Sequence, residues 1–249
     1  MITVKEYNDL GEELERLLRL RTSPIAVKML EKEDDIPEGA IRPKRDRGYH
    51  LAQCQAFALS RRQKLTIAML KEDHWCWAPL MAYGLVENPH DPFVDAHTSF
   101  PCLEYDKYIG IVSAPLITAN FEPDLVLVYS DTAQLRRMLL VIKYVDKTLI
   151  TCQFDPLDSC CYNVVNVLQT GTYHIALPDP GECERGGAAD NEIILSIPRD
   201  KLEVVAGGLR QSGEMHFGFN YPNIEQGPDF DQPEFYTRLF KQWGLDVKE

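Results

Sequence analysis

"DLVLVYSDTAQLRRMLLVIKYVD", residues 124–146, is the stretch on which the fold turns. Its first part, Leu125, Val126, Leu127, Val128 and Tyr129, is an unbroken apolar run. A half-solvated strand would alternate apolar with polar residues, so the run predicts a strand covered on both faces. Ser130 or Asp131 can then cap a helix over 131–146 by accepting amide protons that a first helical turn leaves without partners. A covered strand feeding directly into a helix implies helices layered on a sheet.

Outward from there, "YIGIVSAPLI" (108–117) repeats the covered-strand pattern. Shorter strands are predicted over 25–30, in "LTIAML" (65–70), near "TLITCQF" (148–154), at "TYHIAL" (172–177) and at "NEIILSIP" (191–198). Leu10, Leu14, Leu17 and Leu18 recur at helical spacing within 7–20, with Asn8 or Asp9 as cap. Further helices are predicted within 49–64, at 80–85, at 159–169, at 199–209 and at the C-terminus, with a charged loop over 32–48. Strands alternating with helices predict an α/β or α+β fold, a mixed sheet flanked by helices, in a single domain over 1–249.

The chain of 249 residues carries a formal charge of −12. Nucleic-acid backbone binding needs a concentrated basic face, so it is not expected. No apolar run is long enough for a membrane span, and the N-terminus is acidic and amphipathic where a signal peptide would be basic and then apolar, which predicts a cytoplasmic protein. Cys54, Cys76, Cys102, Cys152, Cys160, Cys161 and Cys183 make an odd count, which argues against a disulfide framework. Each is then a ligand, a reactive thiol or core filler.

In "KEDHWCWAPL" (71–80), Cys76 stands between Trp75 and Trp77, just after His74. An apolar shell suits a metal or cluster ligand, and suits a packed core cysteine equally. There is no Cys-x-x-Cys pair, and the adjacent Cys160 and Cys161 do not readily both face one ion. They open a helix, however, where the N-terminus lowers a thiol pKa. His50 and Cys54 would share a face if helical, and His74 is a ligand or base candidate. Arg42, Arg45 and Arg47, with Lys44, form a basic loop that could bind an anion, and a second basic run holds Arg61, Arg62 and Lys64. "PDPGECERGGAADNE" (178–192) predicts a tight, site-forming loop. Asp155 and Asp158 could serve as acid and base, with helix capping as the commoner role for such residues.

The segments "SPIAVKML", "CQAFALSRR", "WCWAPLMAYGL", "APLITANFEPDLVLVYSDTAQLRRML", "SCCYNVVNVLQTG" and "PDPGECERGGAADNEIILSIPRDKLEVVAGGL" occur in an order that resembles the cysteine-containing bacterial and archaeal family known as domain of unknown function 169. The resemblance runs over about 24–209, leaving an acidic loop and helix at 210–249. It implies recurring cysteines at Cys54, Cys76 and Cys160 or Cys161. The chain departs from the pattern by reading "CWAP" at the second of these and "PDPGECER" later, so a fourth ligand could be Cys183, Cys102, a histidine, an exogenous group or none.

The expected function is a redox or cofactor-associated protein that binds an iron-sulfur cluster, or another thiophilic metal, through Cys54, Cys76 and Cys160 or Cys161. Trp75 and Trp77 would form its dry shell, and a small molecule or redox partner protein would be its counterpart. One alternative is a metal-free enzyme on a small anionic substrate, with Cys76 or Cys54 as nucleophile, His74 or His50 as base and the Arg42 to Arg47 loop as anchor. The other is a noncatalytic subunit or ligand-binding module. No membrane partner is expected, and a homo-oligomer is left open.

Overall fold

Successive side chains of a strand point to opposite faces of a sheet, so a strand apolar at every position needs cover on both sides. The computed structural model describes residues 2–92, 94, 101–212 and 233–245, and it supplies that cover. Strands β1 (Ile25–Leu30), β2 (Ile67–Leu70), β3 (Gly110–Pro115), β4 (Leu125–Ser130), β5 (His174–Ala176) and β6 (Ile193–Pro198) form one sheet in the order β2-β3-β1-β4-β6-β5. The helices are α1 (Val4–Leu18), α2 (Gln53–Gln63), α3 (Trp77–Ala82), α4 (Thr132–Val141), α5 (Ser159–Thr170), α6 (Pro180–Glu184), α7 (Leu202–Ser212) and α8 (Glu234–Gln242).

One face of the sheet, with Ala26, Leu30, Val126, Val128, Leu195 and Ile197, packs against Leu14 of α1, Met138 of α4 and Val205 of α7. The other face, with Ile25, Val27, Leu125, Leu127 and Ile194, packs against Phe57 of α2, Ala82 of α3 and Val164 of α5. Where this second face turns polar the helices answer it: Ser113 of β3 meets Ser60 of α2 at 2.9 Å, and Ser196 of β6 donates to Asn163 of α5 at 3.0 Å.

The architecture is α+β. Among the described residues every strand ladder is antiparallel, and parallel pairing enters only as the isolated bridges Ile41–Ile67 and Leu51–His74. The mixed sheet expected from continuous apolar runs rested on burial of both faces. An antiparallel sheet clad by helices on both sides meets that requirement equally well.

Local chemistry sets the boundaries. The amide of Gln134 donates to the Asp131 carboxylate at 2.8 Å, so α4 starts where the sequence predicts, and the chain continues into a wider turn over Ile142–Asp146. Helix α1 begins earlier than expected, because Thr3 and Glu6 form a reciprocal cap. Asn8 instead donates to the carbonyls of Leu116 and Ala119 at 2.7 and 3.0 Å, tying α1 to the end of β3. The strand expected near 148–154 does not form: Leu149 and Phe154 lie exposed, so no core rewards the pairing. The acidic loop expected after residue 209 falls largely on 213–232, outside the described residues. No described helix is long and apolar enough to cross a membrane.

Helices α4 and α7 approach most closely at Gly208, where an added Cβ would collide with Val141 and come within 3.1 Å of Val145. Alanine is the better helix former by about 1 kcal/mol. Gly208→Ala nevertheless should destabilise the protein by about 1–3 kcal/mol through overpacking, read as a lower urea midpoint. An unchanged midpoint would mean the two helices part freely.

Candidate functional site: a buried thiol centre

Four cysteines from three distant segments lie on the α2, α3 and α5 side of the sheet. Cys54 enters from the first turn of α2, Cys76 from the residue preceding α3, and Cys160 and Cys161 from the first turn of α5. Cys54, Cys160 and Cys161 are buried in one apolar cluster, and Cys76 packs against it half-buried. The Cys160 and Cys161 thiols lie 3.7 Å apart, so these neighbours do face the same space, contrary to expectation. Cys54 donates to the Gly181 carbonyl at 3.3 Å.

All of these thiols are poor acids. Burial pushes Cys54 up to about 12, helped by the charges of Asp179, Glu182 and Cys161. Burial raises Cys76 and Cys102 as well, and the charge of Cys161 adds to both. Cys160 rises through its hydrogen bond with Cys161 and its burial. Cys161 gains from that same hydrogen bond, but burial and the charges of Asp158 and Asp179 leave it raised. The helix-terminus lowering expected for this pair is therefore overridden by desolvation and by carboxylates at the same helix end. Cys161 is thus within electrostatic reach of Cys54, Cys76 and Cys102, three segments that the sequence keeps far apart.

Cys102 is exposed, and Gln169 holds its carbonyl to the end of α5 at 2.9 Å. Of the fourth-ligand candidates it is the one that shares the electrostatics of Cys161. Cys183 points toward the Pro178 carbonyl at 4.0 Å, and Cys152 accepts from the amide of Ile175 in β5 at 3.1 Å.

The polar surroundings are incomplete. His74 is buried beside Tyr83, with ring centroids 6.5 Å apart, and its imidazole completes no well-formed hydrogen bond beyond a weak contact with the Met69 backbone. The Tyr83 hydroxyl neighbours Cys161 without completing a well-formed hydrogen bond, and the buried amide of Gln53, next to Cys54, is likewise unpartnered. Burial pushes His74 down to about 4, so its imidazole is neutral. Orphaned buried polar atoms each cost about 1–3 kcal/mol unless something absent from a bare chain satisfies them.

Sequence reasoning missed a buried charged network beside the thiols. Arg61 forks onto Glu192 at 2.9 and 3.1 Å and stacks over Tyr129, 3.9 Å from its ring centre. The Tyr129 hydroxyl donates to Glu182, which also accepts from Ser159 at 2.6 Å. Burial and the charge of Asp179 push Glu182 up to about 7. Burial, with the charges of Asp155 and Asp179, pushes Asp158 up to about 6. A signal for part of this was present in Asp179-Pro180-Gly181-Glu182, which reads as cap, first-turn proline and third-position glutamate; the Glu182 amide does donate to Asp179 at 2.8 Å.

Several expected roles do not fit. Trp75 is 61% exposed and Trp77 39% exposed, so they border the centre at the surface and do not dry it: Trp75 is held out under the Arg185 guanidinium, 4.5 Å above its ring. Arg42 is buried and bound to Asp73 at 2.8 Å and to Glu72, which removes it from anion binding, while Arg45 is exposed and pairs with Asp46. Arg47 stays exposed. His50 precedes α2 and is exposed, so it shares no helical face with Cys54. Asp155 accepts from the amides of Leu157 and Asp158, a turn role, while Asp158 makes no side-chain cap to α5.

Among the described residues no three His, Cys, Asp or Glu side chains close on a single ion. One tetrahedral ion with sulfur ligands at about 2.3 Å requires tight convergence of its donors.

No solved structure matches the chain. It is 22% identical over 225 residues to an uncharacterized protein, MJ0308, of Methanocaldococcus jannaschii, covering 83% of this chain and 94% of that relative. The family model described as DUF169, uncharacterised ArCR, matches residues 13–208, and with the cysteine-bearing segments all inside that span the chain belongs to this family.

Proposed function

We propose that the thiol centre holds an iron-sulfur cluster, or another thiophilic metal centre, in a cytoplasmic redox or cofactor-associated protein. What supports this reading is that Cys54, Cys160 and Cys161, with half-buried Cys76 packed against them, share one apolar cluster that also holds the unpartnered Tyr83 hydroxyl. Cys54, Cys76 and Cys160 or Cys161 would hold the group, with Cys102 in range as a fourth. When bound it would supply electron transfer, or an open metal position for a substrate. Its positive charge would also favour the thiolates that burial and the neighbouring carboxylates otherwise oppose. Glu182, at about 7, shares its proton with solvent near neutral pH, Asp158, at about 6, takes one up below it, and His74 is neutral. Exposed Trp75 and Trp77, on either side of Cys76, offer an aromatic contact for a redox partner protein.

A nucleophilic-thiol enzyme is less well supported, because none of these thiols has the lowered pKa that such chemistry uses. Anaerobic purification followed by iron and acid-labile sulfide analysis tests the proposal. Brown protein with near-stoichiometric iron is expected, and changing both Cys160 and Cys161 to Ser should lose most of it. Colourless, metal-free protein from that preparation rejects the reading.

A further inference from the structure

We propose that a two-lobed, arginine-lined cleft on the outer side of α2 binds a small anion: a carboxylate, sulfonate or phosphate carried on a flat aromatic body. One lobe, about 360 Å³, is lined in part by Gln55, Arg62 and Arg185. The other, about 350 Å³, is lined in part by Arg47, Leu65 and Ile67. Tyr49, Leu51, Leu59 and Gln63 belong to both, so the lobes are continuous. Each volume suits a small molecule, for which about 300–1,000 Å³ is usual.

The charge of the cleft opposes that of the chain. The protein carries −12, yet no carboxylate lines either lobe, while three arginines do. None of the three is neutralised by a close ion pair of its own among the described residues. Arg47 forms none; Arg185 lies over the Trp75 ring; Arg62 reaches Glu192 only at 3.8 Å, and that carboxylate is already forked by Arg61. A cleft of about 670 Å³ between α1 and α7 makes the contrast, because there Arg16 faces Glu13, Arg210 faces both Glu13 and Glu203, and Glu6, Asp9 and Glu12 add further negative charge. Planar guanidinium forks recognise two oxygens of a carboxylate, sulfonate or phosphate at once, and exposed Tyr49 with Leu51 and Leu59 supplies an apolar bed for a flat ring.

The cleft also backs onto the thiol centre. Gln55 follows Cys54 directly, and Gly186 packs so near that a Cβ there would meet the Cys54 carbonyl at 3.1 Å. The backbone of α2 and the 185–187 loop thus form a shared wall between anion and thiols. This inference stands on the lining alone and holds with or without an inorganic centre.

The test is calorimetric titration of the full chain with naphthalene-2-sulfonate and with uncharged naphthalene-2-methanol at low salt. The sulfonate should bind and the alcohol should bind at least about tenfold more weakly, the equivalent of one lost charged hydrogen bond. Arg47→Gln and Arg185→Gln, both at exposed positions, should each weaken the sulfonate about tenfold with an unchanged melting temperature, while Arg16→Gln in the other cleft leaves it unaltered. Failure of the sulfonate to bind, equal binding of the two probes, or wild-type affinity in both cleft variants overturns the proposal.

Discussion

Arg61→Met should lower the unfolding free energy by about 3–5 kcal/mol, because it strands a buried carboxylate. Arg61 is 2% and Glu192 7% exposed, and their two parallel hydrogen bonds satisfy Glu192 where water cannot. Burial alone would raise the Glu192 pKa, but the hydrogen bonds from Arg61 more than offset it and hold the carboxyl below its usual range. Its contribution is therefore present above the unfolded pKa and fades as the pH falls through the folded one. For a chain of this size the loss corresponds to a melting temperature lower by roughly 10 °C. Exposed Arg62→Met should shift stability by less than about 0.5 kcal/mol. The double change of Arg61 and Glu192 to Met should recover much of the loss, since the penalty lies in the unpaired charge. Equal melting of the two single variants would show that the buried fork contributes nothing.

His74→Leu should make the protein more resistant to acid. The histidine pKa is lowered from 6.5 to about 4 by burial, so the unfolded chain takes up a proton in a range where the folded chain does not. Wild type therefore loses stability as the pH falls from about 6.5 to about 4, by about 3 kcal/mol in total, with little further loss from this group below that. The leucine variant lacks the loss. Glu182 acts oppositely: its raised pKa makes stability fall as the pH rises from its ordinary value toward about 7. The quantity to measure is thus the difference between variant and wild type in urea unfolding at pH 7 and pH 4.5. A difference independent of pH would show that His74 titrates normally.

The strand and helix pattern was legible wherever burial is uniform. Residues 25–30, 125–130 and 193–198 read as strands because nearly every position is covered, and 159–169 reads as a helix close to its observed limits. Strand direction was not legible, since covering both faces leaves the same apolar run in either arrangement. Cys54, Cys76 and the Cys160/Cys161 pair stood out by their places at a helix start and a strand end, and the resemblance raised them above the other cysteines; that they share one side of the sheet was not legible, because sequence distance hides spatial proximity. The network around Arg61 and Glu182 escaped notice for a related reason. "SRRQK" is a solvated basic run at Arg62 and Lys64, and only the turn of α2 puts Arg61 inside. Trp75 and Trp77 misled because a tryptophan next to a thiol in sequence shares its backbone and not its side.

Strand β1 lies between β3 and β4, and β4 in turn pairs with β6. The earliest strand to leave the ribosome therefore waits for neighbours synthesised some eighty to one hundred residues later, and the wall around Cys54 waits longer still, for Gly181 and Gly186. A nascent chain would present Cys54 and Cys76 to solvent well before Cys160 and Cys161 exist. The apolar surroundings that the four thiols share are accordingly complete only in the finished polypeptide, and oxidants met during translation would find the first two sulfurs unguarded.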